Sequence, residues 1–77
     1  MESINKNKIR EEHPDITFLY NNLGSAYDKK GEFDKAIVFY EEALKIGKKF
    51  FGEEHPNVAF IYDNLGVVYK SKGEYDK

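Results

Sequence analysis

The sequence predicts an all-α protein built from antiparallel helix-turn-helix repeats that stack as an α-solenoid, with three main helices. The first observation is an internal repeat, because the Glu-Glu-His-Pro motif of residues 11–14 returns at residues 53–56, an offset of 42 positions. Fifteen of the 25 positions from 11 to 35 carry the same residue at that offset. The second observation is that apolar residues recur at intervals of three and four, the period of a helix. Repeats of this length typically form arrays in which each unit shelters its neighbour's apolar face.

The composition narrows the function classes. A chain of 77 residues makes at most one small domain, and without cysteine it has no disulfide or thiolate metal site. The net charge of −2, with both signs mixed along the chain, argues against a nucleic-acid partner. Residues 1–10 lack the apolar core of a secretion signal, and no apolar run reaches membrane-spanning length. We therefore expect a cytoplasmic protein with no membrane partner and no cofactor.

The first helix is predicted over about residues 14–30. Pro14 suits the first turn of a helix, where its missing N–H would have no partner in any case. Lys30-Gly31 suits the end, because a basic side chain favours the last turn and glycine readily adopts the left-handed terminal conformation. The apolar stripe expected to face the core consists of Ile16, Leu19, Tyr20, Leu23 and Tyr27.

Two further helices follow the same rhythm, over about residues 33–49 and 56–72, with Gly52 between them. Their expected core stripes are Phe33, Ala36, Ile37, Tyr40, Ala43 and Leu44 in the second helix, and Val58, Ile61, Tyr62, Leu65 and Tyr69 in the third. A fourth helix is expected to begin at Glu74. Residues 1–10 take the place of a preceding second helix and, being polar, are expected to form a short or frayed one.

The run from Tyr20 to Leu44 resembles the tetratricopeptide repeat. That family's signature is a large aromatic residue, then Leu-Gly and then Tyr on the first helix, followed by Ala, an aromatic residue and Ala on the second. Those places are filled in order by Tyr20, Leu23, Gly24, Tyr27, Ala36, Tyr40 and Ala43. The resemblance implies just under two units, residues 11–52 and 53–77, the latter with a truncated second helix. The long unit and its Gly-Glu-Glu-His-Pro linker resemble the kinesin-light-chain subtype.

The resemblance implies a non-enzymatic protein–protein interaction scaffold. In this family the first helices of successive units line a concave groove that holds an extended peptide, so the implied partner is a protein or peptide. The matching positions are Phe18, Asn21, Asn22, Ser25 and Lys29 in the first unit, and Phe60, Asp63, Asn64 and Val67 in the second. The family's carboxylate-binding variant is not expected, because these positions, Lys29 apart, carry no cation.

Asn22 and Asn64 are the leading candidates for peptide contact. An asparagine amide both donates and accepts hydrogen bonds, so one per unit can pair with the backbone of an extended peptide. The alternative is that these amides bond to neighbouring helices or face water. Phe18 and Phe60 are expected either to form pockets for apolar peptide side chains or to pack between adjacent helices.

An enzyme is not predicted. His13 and His55 each follow two carboxylates, which superficially suggests metal ligands. They lie a whole repeat apart, however, and helices pack about 10 Å from one another, whereas zinc ligands lie about 2 Å from a shared ion. Helix entry and solvent exposure explain the motif better.

Self-association is the competing function class. The third helix has no second helix of its own, so Ile61, Leu65, Val68 and Tyr69 are expected to lose part of their shelter. Three outcomes follow: the chain is a piece of a longer array, it pairs with another copy of itself, or it is largely disordered alone. A homo-oligomer or a helix-exchanged dimer is expected on that basis, since exposed end faces of repeat units readily stack.

Overall fold

The computed structural model describes residues 15–75, with side chains as far as Glu74. It contains three helices, α1 (Asp15–Lys29), α2 (Phe33–Phe51) and α3 (Pro56–Tyr75). The predicted all-α helical-repeat fold is therefore confirmed. The expectations for residues 1–10, for His13 and for the role of Pro14 concern residues outside the described range.

The turn between α1 and α2 is a glycine-centred helix end. Gly31 has a φ of 83°, a left-handed conformation that is unfavourable for residues with a Cβ. The Glu32 N–H donates to the Tyr27 carbonyl at 2.9 Å, and the Gly31 N–H donates to the Asp28 carbonyl at 3.0 Å. These two bonds satisfy carbonyls that the helix end would otherwise leave unpaired, and they reverse the chain within three residues.

The junction between α2 and α3 also follows from its local sequence. Gly52 (φ 90°) ends α2, and its N–H donates to the Lys48 carbonyl at 3.1 Å. His55 precedes Pro56 and acts as the helix cap of α3, because its Nδ1 accepts the Asn57 N–H at 3.0 Å. The imidazole also stacks on the Phe51 ring with a centroid separation of 4.6 Å. His55 thus ties the end of α2 to the start of α3.

The core lies on both sides of α2, which packs between α1 and α3. The buried residues are Ala36, Tyr40 and Ala43 on α2, with Val58, Ile61, Leu65 and Val68 on α3. Phe33, Ile37 and Leu44 pack against this cluster, so the apolar stripe predicted for the second helix is confirmed. Burying each large apolar side chain contributes about 1.5–3 kcal/mol, and this contribution holds α3 against α2.

The buried face of α1 differs from the predicted stripe. Its buried positions are Thr17, Asn21 and Gly24. Of the predicted stripe, Tyr20 and Tyr27 are partly buried against the core, whereas Leu19 is 55% exposed. The reason is the close approach of α2. A Cβ placed on Gly24 would lie 2.7 Å from two ring carbons of Tyr40, so only glycine admits that ring. The helices meet over small residues, which leaves room for the larger side chain of the opposing helix.

The third helix also departs from its prediction. Tyr62 and Tyr69, expected in the core, are 45% and 51% exposed. Among the described residues, α2 is the main neighbour of α3, and it contacts the Ile61 side of the helix and not the tyrosine side. The helix also runs through Tyr75 instead of ending near residue 72, so no fourth helix begins at Glu74.

Candidate functional site

Helices α1 and α3 are joined on one side of α2 by a hydrogen bond between two asparagines. The Asn64 Nδ2 donates to the Asn21 Oδ1 at 2.9 Å, across 43 positions of sequence. Asn21 is only 9% exposed and Asn64 is half-buried, so the bond is sheltered from water. A buried amide needs a partner, which makes this contact a specific link between the two repeat units.

We call the surface on either side of this bond the α1–α3 face. It comprises Phe18, Asn22, Ser25 and Lys29 of α1, with Phe60, Asp63, Asn64 and Val67 of α3. Both helices contribute residues at intervals of three and four, and side chains at those intervals share one side of a helix.

The apolar part of the α1–α3 face is open to solvent. Phe60 and Val67 are 57% and 55% exposed, and Phe18 is 45% exposed. The Phe18 ring leans on Phe51 of α2, with 6.3 Å between centroids and a tilt of 55°. Phe18 is therefore partly supported by the fold, whereas Phe60 and Val67 offer more than half of their surface to a partner.

The polar part of the face divides into free and engaged side chains. Asn22, Lys29 and Asp63 are exposed. Ser25 is half-buried, and its side chain hydrogen-bonds to that of Tyr40 in α2. Burial raises the pKa of Tyr40, the nearby charge of Asp28 adds to that effect, and the bond from Ser25 opposes it. Ser25 thus helps to satisfy a buried phenol, and among these four residues only the other three are free for a ligand.

The predicted pair of peptide-contacting asparagines is divided by the structure. Asn22 is exposed to solvent, and Asn64 donates one amide hydrogen to Asn21 of the neighbouring helix, so the contact of either asparagine with a peptide stays a prediction. Sequence reasoning missed the buried role of Asn21. The sequence did hold one signal. The position of Asn21 is occupied by Asp63 in the second unit, so an amide stands at this position only in the first unit, whose first helix faces α3.

Three of the four residues predicted to mediate self-association are buried within the chain. Ile61 is 2% exposed, Leu65 8% and Val68 0%, because they pack against Ala36, Tyr40 and Ala43 of α2. The expectation that these residues lose their shelter is wrong, since α2 covers α3 as well as α1. Only Tyr69, 51% exposed, offers surface to another chain.

Ion pairs gather at the α1–α2 turn. Glu32 lies 3.3 Å from Lys35 and 3.4 Å from Lys30, and hydrogen bonds from Lys35 and then Lys30 lower the pKa of this carboxyl. The Lys72 ammonium reaches Asp34 at 3.3 Å and links α3 to the start of α2. Exposed pairs of this kind contribute little to stability because water screens them, so they orient the turn more than they stabilise it.

Within residues 15–75, no group of three or more His, Cys, Asp or Glu side chains is placed to hold a metal ion. The one histidine in this range, His55, is engaged as a helix cap. No helix among the same residues is both long enough and apolar enough to cross a bilayer.

Comparison with known proteins agrees with the repeat and the helical layering. The family model described as tetratricopeptide repeat matches residues 9–77, which is most of the chain. The chain belongs to the tetratricopeptide repeat family. No curated protein and no solved structure matches it. Tetratricopeptide repeats generally mediate protein–protein interactions and typically have no catalytic role. Proteins or peptides are therefore the class of partner for this tetratricopeptide chain.

Proposed function

We propose that this tetratricopeptide chain is a non-enzymatic scaffold that binds an extended peptide of a partner protein along the α1–α3 face. The observation that carries the proposal is the exposure of Phe60 and Val67, two turns apart on α3, beside the Asn21–Asn64 link to α1. Large apolar side chains that remain open next to a sheltered polar link are typical of interaction surfaces. An array that binds along its first helices gains a continuous surface from successive units.

Each part of the face has a role in this proposal. Phe60 and Val67 contact apolar side chains of the peptide, with Phe18 extending that surface across to α1. The Asn22 amide pairs with the peptide backbone, because it is exposed and has both donor and acceptor atoms. Lys29 and Asp63 carry opposite charges at the edge of the face and favour a peptide with one charge of each sign. Asn64 keeps the two helices in register.

The experiment is selection from a library of short random peptides displayed on phage, followed by affinity measurement with purified variants. We expect selected peptides to be rich in apolar residues at alternate positions, as an extended chain presents them on one side. Asn22→Ala and Val67→Ala should each weaken binding roughly tenfold or more, the effect of removing an important interface contact. Val38→Ala is the matched control, because Val38 is 57% exposed on α2 and outside the face.

A result in which Val38→Ala weakens the selected peptides as much as Val67→Ala would contradict the proposed face. So would peptides whose affinity is unchanged in both Asn22→Ala and Phe60→Ala. Asn64 is not used as a binding probe, because its substitution also removes the partner of Asn21.

We also infer the kinesin-light-chain-like subtype and a cytoplasmic location as proposals. The support for the subtype is the linker of residues 52–56, in which Gly52 ends α2 with a positive φ and His55 caps α3. A longer unit needs such a defined connection, because the extra residues would otherwise allow the angle between successive helix pairs to vary.

The competing function, self-association, has less support among the described residues. Of its four predicted contacts, only Tyr69 lies at the surface. A homo-oligomer therefore stays a prediction, and sedimentation at micromolar concentration tests it directly. A concentration-dependent mass that Tyr69→Asp reduces to the monomer would favour it over the scaffold role.

A further inference from the structure

The start of α3 depends on one titratable side chain. His55 directly precedes Pro56, and its Nδ1 accepts the Asn57 N–H at 3.0 Å. The carbonyl of the same residue accepts the N–H groups of Val58 at 3.0 Å and Ala59 at 3.1 Å. Of these three bonds that begin the helix, the one to the imidazole depends on the protonation state of the ring.

The chemistry of histidine makes this cap conditional. Serine, threonine and asparagine, which are common at the cap position, keep an oxygen acceptor at any pH near neutrality. A neutral imidazole has one nitrogen that donates and one that accepts, whereas the imidazolium has two donors and no acceptor. Because Nδ1 of His55 accepts, its neutral ring carries the hydrogen on Nε2. A second proton goes to Nδ1, against the Asn57 N–H, and no rotation of the ring restores an acceptor.

The same imidazole also connects the helices. Its ring stacks on Phe51 of α2, with a centroid separation of 4.6 Å and an angle of 29° between the planes. The Phe51 ring lies 6.3 Å from that of Phe18, in the first turn of α1. Three rings thus join the start of α1, the end of α2 and the start of α3. An imidazolium that turns away from the Asn57 N–H also leaves this stack.

We propose that His55 is a proton-responsive latch of the α2–α3 junction. The latch is closed by the cap and the stack while the imidazole is neutral, and it opens when Nδ1 binds a proton. Histidine ordinarily changes its charge between pH 5 and 8, so mild acidification operates the latch. The opening is confined to the first turn of α3, because Val58 is 0% exposed and keeps the helix in the core. This inference does not depend on the peptide proposed for the α1–α3 face.

The charges around the imidazole decide the direction of the response. In the linker, Glu53 is 72% exposed and lies 3.6 Å from Lys48 of α2, and Glu54 is exposed, as is Asp15 at the start of α1. Attraction of the imidazolium to these carboxylates and to the stacked phenyl ring opposes the opening, but water screens it. The positive end of the α3 dipole repels the cation, and the acceptor is lost outright. The contribution of the latch to stability is therefore present at pH 8 and lost as the pH falls to 5.

The test is urea unfolding of the full 77-residue chain at pH 8 and pH 5, followed by circular dichroism. His55→Asn is the matched variant, because asparagine supplies a cap oxygen that does not titrate in this range. From pH 8 to pH 5 the ratio of folded to unfolded chain should fall about fivefold more in the parent than in His55→Asn, which is the effect of losing a cap. Both chains also carry His13→Asn, so that the other histidine contributes to neither.

A second variant and a second measurement separate the cap from other effects. His55→Ala has no side-chain acceptor at either pH, so its ratio of folded to unfolded chain should be about fivefold below that of His55→Asn at both. Nitrogen NMR at pH 8 should find the ring hydrogen of His55 on Nε2. The Asn57 amide proton should then move upfield as the ring titrates in the parent, and it should keep its position in His55→Asn.

Three results would overturn the proposal. One is a ring hydrogen on Nδ1 at pH 8, which would leave no acceptor for the cap. Another is an equal response to pH in the parent and in His55→Asn. The third is a parent that gains stability relative to His55→Asn on acidification, which would mean that attraction to Glu53 and Glu54 outweighs the loss of the cap.

Discussion

Asn22 and Asn64 occupy the same position of two repeat units, yet their surroundings differ. Asn22 is exposed, whereas Asn64 donates to Asn21 at 2.9 Å. The difference arises because α1 contacts α3, the first helix of the next unit, on one side only. The residue on that side, Asn21, is 9% exposed and depends on Asn64 for a partner. Identical residues at equivalent positions thus differ in their surroundings, and of the two only Asn64 bonds to a neighbouring helix.

This difference predicts unequal stability changes. Asn64→Ala should lower the free energy of unfolding by about 1–3 kcal/mol, because it leaves the buried Asn21 oxygen without a donor. Asn22→Ala should change it by no more than about 0.5 kcal/mol, as is usual for an exposed residue. Urea unfolding followed by circular dichroism measures both. Equal effects of the two substitutions would mean that the Asn21–Asn64 bond contributes nothing to stability.

At the scale of the element, α1 and α3 have nearly the same sequence pattern and different neighbours. The central glycine of α1 lies against the Tyr40 ring, and the central glycine of α3 has open space. The same contrast appears at the ends, where α1 stops before the turn at Gly31 and α3 continues to Tyr75. Packing by α2 therefore accounts for the close approach at Gly24, because a glycine permits such a contact but does not require it.

Alanine substitution of the two glycines should have opposite effects. Gly24→Ala gains about 1 kcal/mol of helix propensity but forces the Tyr40 ring to move, and overpacking typically costs about 1–3 kcal/mol, so we expect a net loss of about 1–2 kcal/mol. Gly66→Ala should raise the free energy of unfolding by about 0.5–1 kcal/mol, since its Cβ meets nothing. Thermal unfolding of the two variants against the parent decides the matter. A gain at both positions would show that the α1–α2 contact is looser than the structure indicates.

At the scale of the molecule, α2 holds the other two helices together. Its alanines at 36 and 43 are 0% exposed and pack in one cluster with the aliphatic residues of α3, whereas the Tyr40 ring of α2 lies against Gly24 of α1. Among the residues that the structure describes, one core results, and the α1–α3 face and the side chains of Tyr62 and Tyr69 remain exposed. Of the residues that were predicted to associate with another copy, Ile61, Leu65 and Val68 lie in this core and Tyr69 lies at the surface.

Adjacent residues of α3 test that division. Val68 is 0% exposed and Tyr69 51%, so Val68→Asp buries a charge and should destabilise the fold by on the order of 3 kcal/mol or more. Tyr69→Asp should keep the helical content and a cooperative unfolding transition. Circular dichroism at rising temperature distinguishes the two. Equal loss of helix in both variants would place Tyr69 in the core.

Much of this architecture was predictable from local signals. Gly31 and Gly52 end their helices as their residue type and spacing indicated, and the stripe of α2 faces the core as its period required. The stripe of α1 was predicted less well. The periodicity of the sequence identifies hydrophobic positions, whereas Thr17 and Gly24 are buried because their small size lets the neighbouring helix approach. Of the candidate binding residues, Asn22 and Phe60 lie at the surface, but the engagement of Ser25 and Asn64 depends on neighbours that no spacing reveals.

The sequence by itself determined the helices, their turns and the family, because these follow from contacts between residues close in the chain and from a repeat visible at one offset. Only the tertiary structure decided which of two equivalent residues is buried, since that depends on whether another helix lies against it. Gly24 and Gly66 have the same local sequence signals, and they differ because α2 packs on the first of them.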